Sequence, residues 1–266
     1  MRPELFSFDT PDWLSFLPDT ITVHSYGFLI GIGILAAYYM AVYLGKSLNV
    51  NSDQTATLFF WVFMASVVGG KFFFLLESPA TYMDDPSKIL ENFGSGFVFY
   101  GSVIFAVPVL IWKLRKFKIG VWEYLDIVAI FAPVLHFFGR LGCFMAGCCH
   151  GKVCHNALGV TYTHAASKAD PLNTPLYPTQ LFSAALLLFI VLLLLYLRKR
   201  KSFSGQLFLL YLVIYSVGRS IIEIYRGDEE RGFIIGDWLS HSQFIAIAII
   251  AISTIIWIRR KRGSRQ

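Results

Sequence analysis

Seven apolar runs, each close to the length needed to cross a bilayer, constrain this chain more than any other feature. Crossing about 30 Å of hydrocarbon takes roughly 20 residues of α-helix. The runs fall near 26–46, 55–77, 97–113, 122–138, 180–197, 206–225 and 241–258. Pro108 and Pro133 lie inside the third and fourth, which a membrane helix tolerates when neighbours re-satisfy the freed carbonyls. Only 15% of residues are charged and 56% are hydrophobic, whereas soluble domains carry about 25% charged residues. One soluble core of this size cannot bury so much apolar surface. The expectation is an all-α polytopic membrane protein with about seven transmembrane helices, forming one transmembrane domain over residues 1–266.

The placement of charge orients it. The net charge is +6, but the cations sit in short runs at 113–118, Arg198–Lys201 and Arg259–Arg262, each directly after an apolar stretch. That is the positive-inside pattern rather than a groove-lining patch, so the partner is a bilayer and not nucleic acid. With the N-terminus outside and seven crossings, these runs, Arg265 and Lys46 place more than half of the 23 lysines and arginines on the inner side. The outer loops at 78–96, 139–179 and 226–240 hold only Lys88, Arg140, Lys152, Lys168, Arg226 and Arg231. Residues 1–20 carry Glu4, Asp9, Asp12 and Asp19 and lack a basic n-region. No cleavable signal is expected, and the first helix then serves as its own insertion signal. No internal repeat supports a repeat-built transporter.

Polar residues inside these runs mark a site. Tyr215, Arg219, Glu223 and Arg226 recur at spacings that place them on one helical face. An arginine within the span costs at least ~2.5 kcal/mol. Glu223 offsets Arg219 as an ion pair, and Arg226 leaves an excess of positive charge suited to a phosphate. The segment Gly139-Arg140-Leu141-Gly142-Cys143, continuing to Gly151, places glycines straight after the fourth run, where tight turns and close ligand approach are expected. His136 precedes Arg140 by one turn and shares its face. The outer loop at 139–179 is long enough to have a task of its own.

Cys143, Cys148, Cys149 and Cys154 form a C-x4-C-C-x4-C pattern flanked by His150 and His155. Paired C-x2-C spacing, which zinc favours, is missing, and no metal is expected. One or two disulfides on an outer face are the leading reading; a nucleophilic thiol would need a base and a lowered pKa. His24, Tyr26, Tyr100, Gln180 and Gln243 stand at the outer ends of four further runs, so polar groups converge on one leaflet.

These residues together resemble the bacterial prolipoprotein diacylglyceryl transferases over almost the whole chain. The resemblance rests on Ser25-Tyr26-Gly27, on G-R-x-G at Gly139–Gly142, on P-x-Q-L at Pro178–Leu181, and on R-x3-E-x2-R at Arg219, Glu223 and Arg226. It implies transfer of the diacylglyceryl group of phosphatidylglycerol to the lipobox cysteine thiol of a prolipoprotein in the bacterial inner membrane, without a cofactor. It further implies that Arg140 and Arg219 hold the head group, that Glu223 orients Arg219, and that Tyr26, Gly139, Gly142, Gln180, Tyr215 and Arg226 contribute to binding. The family's histidine at the start of the third helix is replaced by Tyr100, and its asparagine and glutamate by Cys143 and Cys148. A phenol of pKa near 10 is a poor base, so His24 or His136 is the expected substitute. These changes leave two alternatives: a related head-group transferase with another acceptor, and a transporter or redox sensor using the cysteine loop.

Overall fold

The computed structural model describes residues 1–10, 20–77, 97–226, 233–235 and 239–263. Residues 78–96 with Lys88, 227–232 with Arg231, and Asp12, Asp19 and Arg265 lie outside the described residues. Strands β1 (Glu4–Asp9) and β2 (Thr20–His24) form an antiparallel pair before α1 (Ser25–Gly45). The helices α2 (Ser52–Glu77), α3 (Phe99–Lys116) and α4 (Val121–Ala146) follow. A short antiparallel pair, β3 (Val160–Thr161) and β4 (Pro175–Leu176), precedes α5 (Thr179–Leu197) and α6 (Gln206–Glu223). A last pair, β5 (Phe233–Ile235) and β6 (Leu239–Ser240), leads into α7 (His241–Gly263).

Each of the seven apolar runs is therefore helical. Six of these helices are long and apolar enough to cross a membrane. The remaining one, α3, ends in Lys113, Arg115 and Lys116. Large apolar side chains such as Leu35, Phe189, Leu192, Ile247 and Ile252 point outward, each 47% exposed or more. Water would penalise that arrangement, whereas lipid makes it the favourable one.

The described residues group into two compact units. In the unit of residues 41–124, α2 and α3 approach through glycine: a methyl group added to Gly69 or to Gly101 would collide with the other's carbonyl oxygen. Small residues are what allow membrane helices to meet backbone to backbone. The Lys113 ammonium lies 4.0 Å from the Trp61 ring centroid and 4.6 Å from that of Trp112, a cation–π placement for a charge at a helix end.

The second unit comprises residues 1–40 and 125–266. Here α1 runs antiparallel to α4, with Gly33 against Leu135 and Phe138, and Tyr26 against Gly142. The start of α6 has no cap from its own side chains; Gly205, with φ of +90°, occupies the N-cap. The cap comes from α4. Asp126, only 2% exposed, accepts hydrogen bonds from the backbone N–H groups of Gly205 (2.9 Å), Leu207 (2.9 Å) and Phe208 (3.1 Å), and from Lys201 Nζ (2.8 Å). One carboxylate thus satisfies the orphan donors of a helix terminus and pairs with a cation.

Removing a buried, multiply bonded carboxylate is expected to destabilise by ~3 kcal/mol or more. Asp126→Ala should accordingly lower the thermal unfolding midpoint in detergent, with Asp126→Asn intermediate. An unchanged midpoint in Asp126→Ala would contradict the capping role.

Candidate active site

The fourth helix continues to Ala146, so Gly139, Arg140, Gly142 and Cys143 are helical rather than the start of a glycine-rich turn. The expected loop at 139–179 begins only at Gly147. The glycines have a packing role instead. A Cβ on Gly142 would lie 3.0 Å from the Tyr26 ring and 3.3 Å from the Tyr26 backbone; α1 comes this close because Gly142 has no side chain. Gly139 faces open space, with nothing within 4 Å of an added Cβ.

One turn apart on α4, Arg140 Nε–H donates to His136 Nε2 at 3.1 Å. With Nε2 accepting, the imidazole is assigned as neutral with its proton on Nδ1. Its ring packs on Tyr215 of α6 at a centroid distance of 5.5 Å, and Tyr215 in turn packs on Tyr211 at 5.9 Å. One turn beyond Tyr215, Arg219 pairs with Glu223, their side chains 14% and 12% exposed. Two i,i+4 ladders, His136–Arg140 and Tyr215–Arg219–Glu223, thus meet along one seam. Two guanidiniums and one neutral imidazole converge there, an arrangement able to bind a phosphate and accept a proton.

Arg226 follows α6 by three residues. The helix closes at Glu223 with i→i+3 bonds, Ile224 N to Ile221 O, Tyr225 N to Ile222 O and Arg226 N to Glu223 O, which tighten the last turn. Arg226 is 6% exposed and forms a β-bridge with Gly151 of the cysteine loop.

That loop turns back at Gly147 (φ +81°) and Cys149 (φ +61°), left-handed conformations that are strained for cysteine. Two fully buried side chains at the start of α5 hold it. Gln180 Nε2 donates to Cys148 O at 2.7 Å, and Thr179 Oγ1 donates to Cys149 O at 2.8 Å. Gln180 Nε2 also lies 3.2 Å from the Tyr162 hydroxyl, whose pKa is pushed up to about 12 by burial, with the Gln180 hydrogen bond opposing. The amide nitrogen of Gln180 is thus committed to bracing the loop; its Oε1 has no partner among the described residues. The expected disulfides are not formed: all four cysteines are free thiols. The Sγ atoms of Cys143, Cys148 and Cys149 lie within 4.8 Å of one another, and Cys154 stands apart with its Sγ 3.0 Å from Asn156 Oδ1.

His24 is exposed at the end of β2, opposite Glu4. Tyr100 begins α3 in the 41–124 unit, exposed and edge-on to Phe99 at 5.9 Å. Sequence reasoning missed Asp126, Thr179 and Tyr162. For Asp126 a signal existed, since an acidic residue inside an apolar run is costly unless it is partnered.

A polytopic membrane helix bundle that presents two fixed guanidiniums beside a neutral imidazole defines a class of protein suited to an anionic head group. The chain belongs to the prolipoprotein diacylglyceryl transferase family, whose model matches residues 14–259. It is 33% identical over 248 residues to phosphatidylglycerol–prolipoprotein diacylglyceryl transferase 2 of Clostridium perfringens, covering 92% of this chain and 94% of that one. The Clostridium tetani phosphatidylglycerol–prolipoprotein diacylglyceryl transferase is 34% identical over 237 residues, covering 89% and 93%. The Aliarcobacter butzleri protein of the same name is 26% identical over 257 residues, covering 91% of each.

The Cys149 thiol is held below its ordinary value by hydrogen bonding from Cys143 and Cys148 and by the charges of Arg226 and Arg140, against the opposing effect of burial. A lowered pKa leaves thiolate present on the acidic side. Alkylation of Cys149 by iodoacetamide, followed by mass spectrometry, should therefore fall less between about pH 8 and pH 6 than the roughly 80-fold slowing of an ordinary thiol. A rate that falls tenfold per pH unit would contradict the assignment.

Proposed function

We propose that this chain transfers the diacylglyceryl group of phosphatidylglycerol to the lipobox cysteine of prolipoproteins and releases glycerol 1-phosphate. It works in the bacterial cytoplasmic membrane, with its N-terminus outside and its C-terminus in the cytoplasm. The observation that carries this reading is the seam where His136–Arg140 of α4 meets Arg219–Glu223 of α6, in a chain of this family.

The chemistry follows from what these groups offer. Arg140 and Arg219 grip the phosphate and offset the charge that gathers on it as the carbon–oxygen bond breaks. Glu223 holds Arg219 in place for that task. In the resting site Arg140 occupies the His136 Nε2 lone pair. A phosphate that draws Arg140 away frees that lone pair to take the proton of the incoming thiol. The thiolate then attacks the glycerol carbon bearing the phosphate, a carbon–sulfur bond forms, and the electron pair of the broken bond leaves with glycerol 1-phosphate.

The other groups support this centre. Tyr215 fixes the imidazole plane through its ring contact. Tyr26, packed on Gly142 and 43% exposed, lines the approach to Arg140, beside the open backbone at Gly139. Gln180 Oε1 is a buried acceptor for a substrate hydroxyl, and Arg226 adds positive charge near the cysteine loop. Tyr100 and His24 enter on resemblance and residue type alone; His136, hydrogen-bonded to Arg140, is the proposed base.

The test is transfer from phosphatidylglycerol labelled in its diacylglyceryl group to a lipobox peptide, using purified protein. Arg140→Ala and Arg219→Ala should each lose about 100-fold or more. His136→Gln, which keeps a hydrogen-bonding side chain but cannot take a proton, should lose roughly 100-fold with little change in apparent lipid affinity. Undiminished labelling in either arginine variant would contradict the phosphate-holding assignment.

A further inference from the structure

Nothing in the transfer chemistry uses the three thiols that converge at the end of α4. We infer that Cys143, Cys148 and Cys149 form a binding site for a soft, thiophilic metal ion in three-coordinate sulfur geometry, with monovalent copper the class of ion that fits.

The first ground is distance. The three Sγ atoms lie within 4.8 Å of one another. An ion held at the centre of three sulfurs by bonds of about 2.3 Å needs them about 4 Å apart, a small contraction for side chains with one rotatable bond each.

The second is that the thiols are held in position. Cys143 lies on the last turn of α4. Gly147 and Cys149, both at positive φ, fold the following residues back over it. The Cys148 and Cys149 carbonyls are fixed by Gln180 (0% exposed) and Thr179 (1% exposed). A loop bonded this way presents its ligands before any ion arrives. Linear spacing concealed the site, because the turn at Gly147, rather than a C-x2-C knuckle, brings the sulfurs together.

The third is the ligand number. The neighbouring imidazole is committed elsewhere: His150 Nδ1 pairs with Gly151 O at 3.0 Å, and its Nε2 accepts from Asp170 N at 3.3 Å. Cys154 is held by Asn156. Among the described residues no fourth ligand stands ready, which disfavours the closed tetrahedral shell of a structural zinc site and favours an ion content with three thiolates. Binding releases the thiol protons to solvent and leaves net negative charge, which the nearby Arg140 and Arg226 offset.

The experiment uses the full chain, purified in detergent and reduced under anaerobic conditions. Monovalent copper is supplied with a competing colorimetric chelator. One ion should be retained per chain, with a near-ultraviolet sulfur-to-copper absorption band. Cys143→Ser and Cys148→Ser should each lower retention at least tenfold, and Cys154→Ser should leave it unchanged. A second reading needs no variant: copper should protect Cys143, Cys148 and Cys149 together from iodoacetamide. Several outcomes would overturn the site: retention in the wild type no higher than in Cys143→Ser, equal loss in Cys154→Ser, unprotected alkylation of any of the three, or a disulfide within the cluster that persists under these reducing conditions.

Discussion

Asp126 sets the geometry on which the site depends. Its carboxylate caps the start of α6 from a position near the start of α4, so the two helices leave one pin in the same direction. At 1.5 Å per residue, His136 lies ~15 Å along α4 from Asp126, and Tyr215 lies ~12 Å along α6 from Leu207. The two arrive at one level, as their 5.5 Å ring separation shows. Arg140 and Arg219 then follow one turn further along each helix. The register of two arginines deep in the bundle is therefore set by a polar contact at its far end.

A membrane setting makes such register valuable. Arginine is expensive within hydrocarbon, and each guanidinium here has a partner one turn away, His136 for Arg140 and Glu223 for Arg219. The two partners differ in kind. Glu223 is a carboxylate counter-ion, whereas His136 accepts a hydrogen bond from Arg140 that the proposed reaction releases. In the proposed reaction an incoming phosphate meets two guanidiniums that are each already paired, of which Arg140 is the one recruited from its partner.

Much of the fold was legible in the sequence, because lipid makes backbone self-satisfaction compulsory and writes each helix as a long apolar run. All seven runs became helices, and the i,i+4 pairs His136–Arg140 and Arg219–Glu223 follow from helical periodicity alone. Periodicity failed where a helix ended. It gave no sign that Arg226, just past α6, bridges to Gly151 of the cysteine loop. It stopped α4 at Gly139, since glycine reads as a turn when its packing partner, Tyr26 against Gly142, is unknown. The convergence of three thiols depends on the turn at Gly147, which spacing does not announce, and the buried braces Thr179 and Gln180 bond carbonyls about 30 positions away, which leaves no local pattern.

A double-mutant cycle on the two arginines tests the central claim, that Arg140 and Arg219 serve one phosphate. It compares kcat/KM for diacylglyceryl transfer in Arg140→Lys, Arg219→Lys and the double variant. Groups sharing one ligand couple by about 0.5–3 kcal/mol, so the double variant should lose clearly less than the product of the single losses. Losses that multiply would place the two guanidiniums at independent tasks and contradict the account.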